Sequence, residues 1–148
     1  MTTKNNHELI DSLKNALADS YALALKTQNF HWNITGPNFE SLHLLFDEQY
    51  HDLSEAIDLI AERIRALGAK TPASFSIFNK TTTISDGDEN ANSVAMLTAL
   101  SQDQLIIIKT LKTALVCAQK LSDEVTINVI VDRLAVHEKN HWMLHASL

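Results

Sequence analysis

The sequence predicts an all-α protein: a four-helix bundle with one long crossover between its second and third helices. Three observations predict it. Only three Gly and two Pro stand against 45% hydrophobic residues, which favours long helices over a turn-rich sheet protein. Apolar residues recur at three- and four-residue steps through four segments. The connections between those segments run short, long, short, as an up-down bundle with one long crossover requires. At 148 residues the chain is expected to form one domain over 1–148, large enough to bury a real core.

The first helix is expected to begin after Asn5-Asn6, which read as caps, and to run to about Phe30. Leu9, Ile10, Leu13, Ala16, Leu17, Tyr21, Ala24 and Leu25 supply its apolar spacing. Thr35-Gly36-Pro37-Asn38 breaks it, with Pro placed at the start of the next helix. The second helix spans Asn38 to Leu67, with Phe46, Tyr50, Leu53, Ile57, Ile60 and Ile64 on its core face and Gly68 as its stop. A bare loop from Ala69 to Asn92 would be uncommon in a compact domain, so the crossover is expected to carry a short helix within Ser74–Asn79. The third helix runs from Ser93 to Leu121 and the fourth from Glu124 to near the C-terminus. No internal repeat or low-complexity tract is visible.

The run from His31 to Glu62 carries the chemistry. Its imidazoles and carboxylates recur at helical spacing and suit iron or zinc. With His43 set at zero on a helical wheel, Asp47 falls near about 40°, Asp58 near about 60° and Glu62 near about 100°, so all four share one stripe. Along the axis, His43 and Glu62 stand about 28 Å apart and Asp47 and Asp58 about 16 Å. No single metal can touch both ends. An antiparallel second copy would bring the His43–Asp47 end of one chain beside the Asp58–Glu62 end of the other. The stripe therefore predicts a two-fold dimer with two identical metal sites, each built from both subunits.

Composition narrows the function classes. A net charge of −6 argues against unaided nucleic-acid binding and is compatible with binding cations. The lone Cys117 sits in the apolar stretch Leu115-Val116-Cys117-Ala118, reads as a buried structural residue and fits a reducing compartment. Met1-Thr-Thr-Lys-Asn-Asn-His-Glu shows no apolar leader segment. No apolar stretch is expected to reach membrane-spanning length. A cytoplasmic protein without a membrane partner is the expectation.

His31-Trp32-x-Ile34-x-Gly36-x5-Leu42-His43-x3-Asp47, followed by Asp58-x3-Glu62-Arg63, resembles the Dps family of ferritin-like mini-ferritins, the DNA-binding proteins from starved cells. The order of elements also matches, so the resemblance covers nearly the whole chain. It implies a ferritin-like bundle that assembles as a hollow dodecamer, a homo-oligomer with ferroxidase centres at its two-fold interfaces. Members oxidise Fe(II), usually preferring hydrogen peroxide to dioxygen, and store the ferric product as a mineral inside. By position, the resemblance assigns His31, His43 and Asp47 to one subunit's share of an iron site and Asp58 and Glu62 to its mate's. Zinc is the expected competitor. Asp47 has a second reading, as a hydrogen-bond partner of a ligating His. Trp32 reads either as a sacrificial electron donor, as the family suggests, or as an amphipathic aromatic closing the helix turn.

Further acids have candidate roles. Family pores lie near the start of the last helix, where this chain has Asp123, Asn128 and Asp132. Glu48, Asp52 and Glu55 lie beyond the ligand stripe and would nucleate mineral if they faced the cavity; otherwise they form a solvated acidic face. Carboxylate ligands favour Fe(III) over Fe(II), and two electrons delivered together to peroxide yield water without hydroxyl radical.

Competing readings have their own residues. His137-Glu138-Lys139-Asn140-His141 matches the H-E-x-x-H zinc-hydrolase pattern, but only seven residues follow it, too few for a third ligand from a later element. A partly solvated polar face of the last helix is the better account. Glu48-x-x-His51 and Glu138-x-x-His141 imitate the pair of an intrasubunit di-iron bundle. Against that, Glu48 points away from the core, and the other helices offer only Asp11, Asp19 and Asp103. The role of His145 is open. A DNA-compacting protein is the second function class; with Lys4 alone before the first helix and no tail after Leu148, DNA binding is expected to be weak or absent. A structural shell with little iron chemistry is the third.

Overall fold

The computed structural model describes residues 3–148, with side chains from residue 5. The expectation about a leader touches Met1 and Thr2, which lie outside the described residues. The helices are α1 (Thr3–Asn33), α2 (Phe39–Ala66), α3 (Phe75–Thr81), α4 (Ser93–Lys120) and α5 (Glu124–Ala146). Asn5 and Asn6 lie inside α1 instead of capping it, and so does Lys4. At its other end α1 continues past Phe30 to Asn33, which puts His31 and Trp32 on helix. Gly36, at φ +112°, then turns the chain, in a conformation costly for any residue with a Cβ. Pro37 sits in that turn, ahead of the N-cap Asn38, and not at the first helical position.

Helix ends follow local chemistry. Gly68, at φ +95°, donates to the Arg65 carbonyl while Ala69 donates to that of Ile64, at 2.9 and 3.3 Å. This is the doubled bond of a glycine-terminated helix. Ser74, Asn92 and Asp123 each accept a backbone N–H through the side chain at the starts of α3, α4 and α5.

Helix α1 packs against α2 and α4, α4 against α5, and the short α3 lies on α1. Leu13, Leu17, Phe46, Leu53, Met96, Leu100 and Leu144 are among the fully buried side chains at the centre. On α2 the buried face includes Leu42, Gln49 and Ala56, while Tyr50 and Ile57 are only partly covered. The face is thus turned slightly from the expected one. Helix α4 is long and apolar enough to cross a membrane, contrary to the expectation that no stretch would be. Its apolar residues Met96, Leu97, Leu100, Ile107, Leu111 and Ala114 pack in the bundle core, which accounts for its composition.

The crossover is pinned by polar contacts. Buried Asp19 on α1 accepts bonds from Thr82 Oγ1 and Thr83 N, both at 2.7 Å, and from Thr110 Oγ1 on α4, also at 2.7 Å. Asn29 donates to the Gly87 carbonyl at 3.2 Å. Gly87 packs so tightly on α1 that an added Cβ would lie 2.9 Å from Phe30 Cε1.

Candidate metal centre

The turn between α1 and α2 folds the last turn of one helix onto the first turns of the next. His31 Nδ1–H donates to the His43 carbonyl at 2.7 Å, and His43 Nδ1–H donates to the His31 carbonyl, also at 2.7 Å. A carbonyl only accepts, so each imidazole must carry its proton on Nδ1. In the neutral rings both Nε2 atoms therefore keep their lone pairs, the state a metal requires. The rings stack with centroids 3.9 Å apart and planes at 15°. Phe39 stacks on His43 at 5.0 Å and Tyr50 leans on His31 at 5.5 Å.

Asp47 completes this half. Its Oδ1 lies 3.5 Å from His31 Nε2 and 3.3 Å from His51 Nδ1. His51 also donates to the Asp47 carbonyl at 2.9 Å. His51 is the residue that reading the stripe missed; its signal was the four-residue step from Asp47. Asp58 and Glu62 are exposed further along α2 and make no hydrogen bond or ion pair among the described residues. Among those residues no group of three or more His, Cys, Asp or Glu is gathered closely enough to hold a metal. One chain thus brings His31, His43 and Asp47 together and leaves Asp58 and Glu62 apart from them.

Trp32 is 64% exposed and lines a groove with Tyr21, Leu25, Phe75, Phe78 and Ile84. Several of these apolar side chains are open to solvent, Phe75 at 80%. A monomer seldom leaves such a surface bare.

The remaining candidate acids are placed unequally. Asp123 receives Arg63 Nη2 on both oxygens at 3.0 Å and caps α5 through Thr126 N. Burial pushes its carboxyl up, but the bonds from Thr126 and Arg63 outweigh this and hold it below the usual carboxylate range. Its lone pairs are committed inside the chain, so Asp123 acts as a latch between α2 and α5. Asp52 is likewise paired with Arg133, at 2.9 and 3.1 Å. Asp132, Asn128, Glu48 and Glu55 are exposed.

Among the described residues, the bundle interior holds no comparable set of free ligands. Asp103 faces Lys26 Nζ at 2.8 Å with both side chains buried, and burial raises its carboxyl pKa against the pull of that lysine. Asp19 is committed to the crossover. Glu48 and Glu138 both face outward. His137 corrects the reading of α5 as a partly solvated polar face, because it is fully buried. Its Nδ1 donates to Gln104 Oε1 at 2.7 Å and its Nε2 accepts from Arg133 at 3.2 Å. Both ring nitrogens are engaged, which removes it from any H-E-x-x-H metal pair. Burial, then the charge of Arg133, hold its pKa at about 3.

Comparison with known proteins agrees with this architecture. The ferritin-like domain family matches residues 10–148. DNA protection during starvation protein 2 of Bacillus anthracis is 34% identical over 97% of this chain and 98% of its own. The crystal structure of a Dps protein from Bacillus brevis superposes with a TM-score of 0.94 at 31% identity, covering 99% of this chain and 98% of that one. A Dps protein from Vibrio cholerae O1, described as a member of a broad superfamily of ferritin-like diiron-carboxylate proteins, gives 0.93 at 33% identity, covering 97% and 91%.

Proposed function

The chain belongs to the Dps branch of the ferritin-like family, and from that premise we propose that it oxidises Fe(II) at sites shared between subunits and stores the ferric product. The observation that carries this reading is the reciprocal lock of His31 and His43, which leaves Nε2 of each ring as the lone-pair atom and sets that of His31 3.5 Å from Asp47 Oδ1. One chain alone gathers too few donors to hold a metal, which leaves positions for acids from a mate and for oxidant. Asp58 and Glu62 of the partner subunit supply the acids when a second α2 runs antiparallel to the first. The exposed apolar groove beside Trp32 supports a covering copy, and the resemblance to the Dps family extends the pair to a dodecameric shell.

Iron is the substrate here. Two Fe(II) ions each give one electron to hydrogen peroxide, whose O–O bond breaks. With two protons the oxygen atoms leave as two waters, and no hydroxyl radical is released. The carboxylates favour the trivalent product. The carbonyl bonds fix the tautomer, so the nitrogen each ring offers an ion is Nε2. Relatives are named for DNA protection during starvation; in this chain of net charge −6 that protection works through removal of iron and peroxide, since coating DNA would bring like charges together.

The test is complementation between damaged chains. His43→Ala and Glu62→Ala shells should each assemble and oxidise Fe(II) slowly. In a mixed dimer both lesions fall on one site and the other site is whole. Random mixing in equal amounts should therefore restore about a quarter of the wild-type sites. Verified mixed shells that regain no oxidation would show that the site is not shared.

A further inference from the structure

Two imidazoles outside the interfacial half-site share a stripe of α5. We propose that His141 and His145 form a two-imidazole site that takes a borderline divalent transition ion, zinc first. The two histidines are four residues apart, which puts them on one helix face. Their rings lie 6.0 Å apart by centroid with planes at 20°. A histidine pair at this spacing is the arrangement by which helices hold zinc.

The tautomer supports the assignment independently. His141 Nδ1–H donates to the Ser101 carbonyl at 2.9 Å, with Ser101 Oγ at 3.1 Å. That contact leaves Nε2 of the neutral ring as the lone-pair atom, as the carbonyl bonds do for His31 and His43. His145 is exposed and makes no side-chain hydrogen bond among the described residues, so it can turn toward the same ion. His137 cannot join, since Gln104 and Arg133 occupy both its nitrogens. The metal pair of α5 is thus His141-x-x-x-His145, and water completes the coordination. Imidazole donors bind zinc more tightly than Fe(II), so zinc is the ion this pair takes first.

The experiment is calorimetric titration of Zn(II) into metal-free shells carrying His31→Ala and His43→Ala, with and without His145→Ala. The first should bind about one zinc per chain. Adding His145→Ala should weaken that binding by more than the 10–100-fold typical of losing an outer-shell partner. In the otherwise wild-type shell, His145→Ala should remove one class of zinc sites and leave the Fe(II) oxidation rate unchanged; this arm decides alone if the doubly substituted shell does not assemble. Zinc binding indifferent to His145→Ala would overturn the proposal, as would a parallel loss of iron oxidation, which would tie the residue to the other site.

Discussion

The buried imidazole of His137 makes stability depend on pH in a calculable way. In the folded chain its pKa is about 3, against an ordinary value of 6.5. Below about pH 6.5 the unfolded chain takes up a proton that the folded one refuses, so stability falls as pH falls, down to about pH 3. The limiting slope is about 1.4 kcal/mol per pH unit. Integrated between about pH 7 and about pH 5, it amounts to about 2 kcal/mol per chain. For a chain of this length that is a Tm lowered by about 4–8 °C. His137→Gln can still donate to Gln104 and accept from Arg133, but it cannot titrate. Scanning calorimetry of metal-free shells at fixed concentration should show wild type losing that much more Tm than the variant over this interval. Parallel losses in the two proteins would mean that His137 is not held neutral in the fold.

Other outcomes follow from named contacts. Asp58→Ala and Glu62→Ala should assemble normally, as read by light scattering, and lose most of their Fe(II) oxidation, because both side chains are exposed and lie off the core face. Arg63→Ala leaves Asp123 and Thr126 without their cation and should cost about 1–3 kcal/mol in denaturant unfolding. Gly87→Ala sets a methyl 2.9 Å from Phe30 Cε1 and should destabilise by about 1–3 kcal/mol through overpacking. Duplex DNA at moderate salt should show no retardation by the protein in chelator; a shift there would defeat the charge reasoning.

Most of the architecture was legible because its signals are local. The stop at Gly68 is a backbone requirement that glycine meets, and the crossover helix opens on its own cap, Ser74. The break at Thr35–Asn38 was legible from Gly36 and Pro37, but α1 runs three residues past Phe30 and carries His31 and Trp32 on helix. Of the candidate site, the spacing of His43, Asp47, Asp58 and Glu62 could be read as a stripe, and the structure adds the carbonyl lock that orients His31 and His43. The commitments of Asp52 and Asp123 were not readable. Their partners Arg133 and Arg63 are 81 and 60 residues away, and an acid on a helix looks the same whether it is free or paired. His137 was misplaced for a related reason: a histidine among charged neighbours reads as surface until Gln104 is known to face it.

The exchange of bonds between His31 and His43 bears on the order in which this protein comes into being. Each ring is held by the other's backbone, so this half of the centre is set by the hairpin of a single chain and needs neither cation nor mate. A zinc finger, by contrast, gains its fold from its ion. On the proposed function, newly made subunits would meet with these imidazoles already oriented, and the ion would arrive last, as cargo delivered to a finished port.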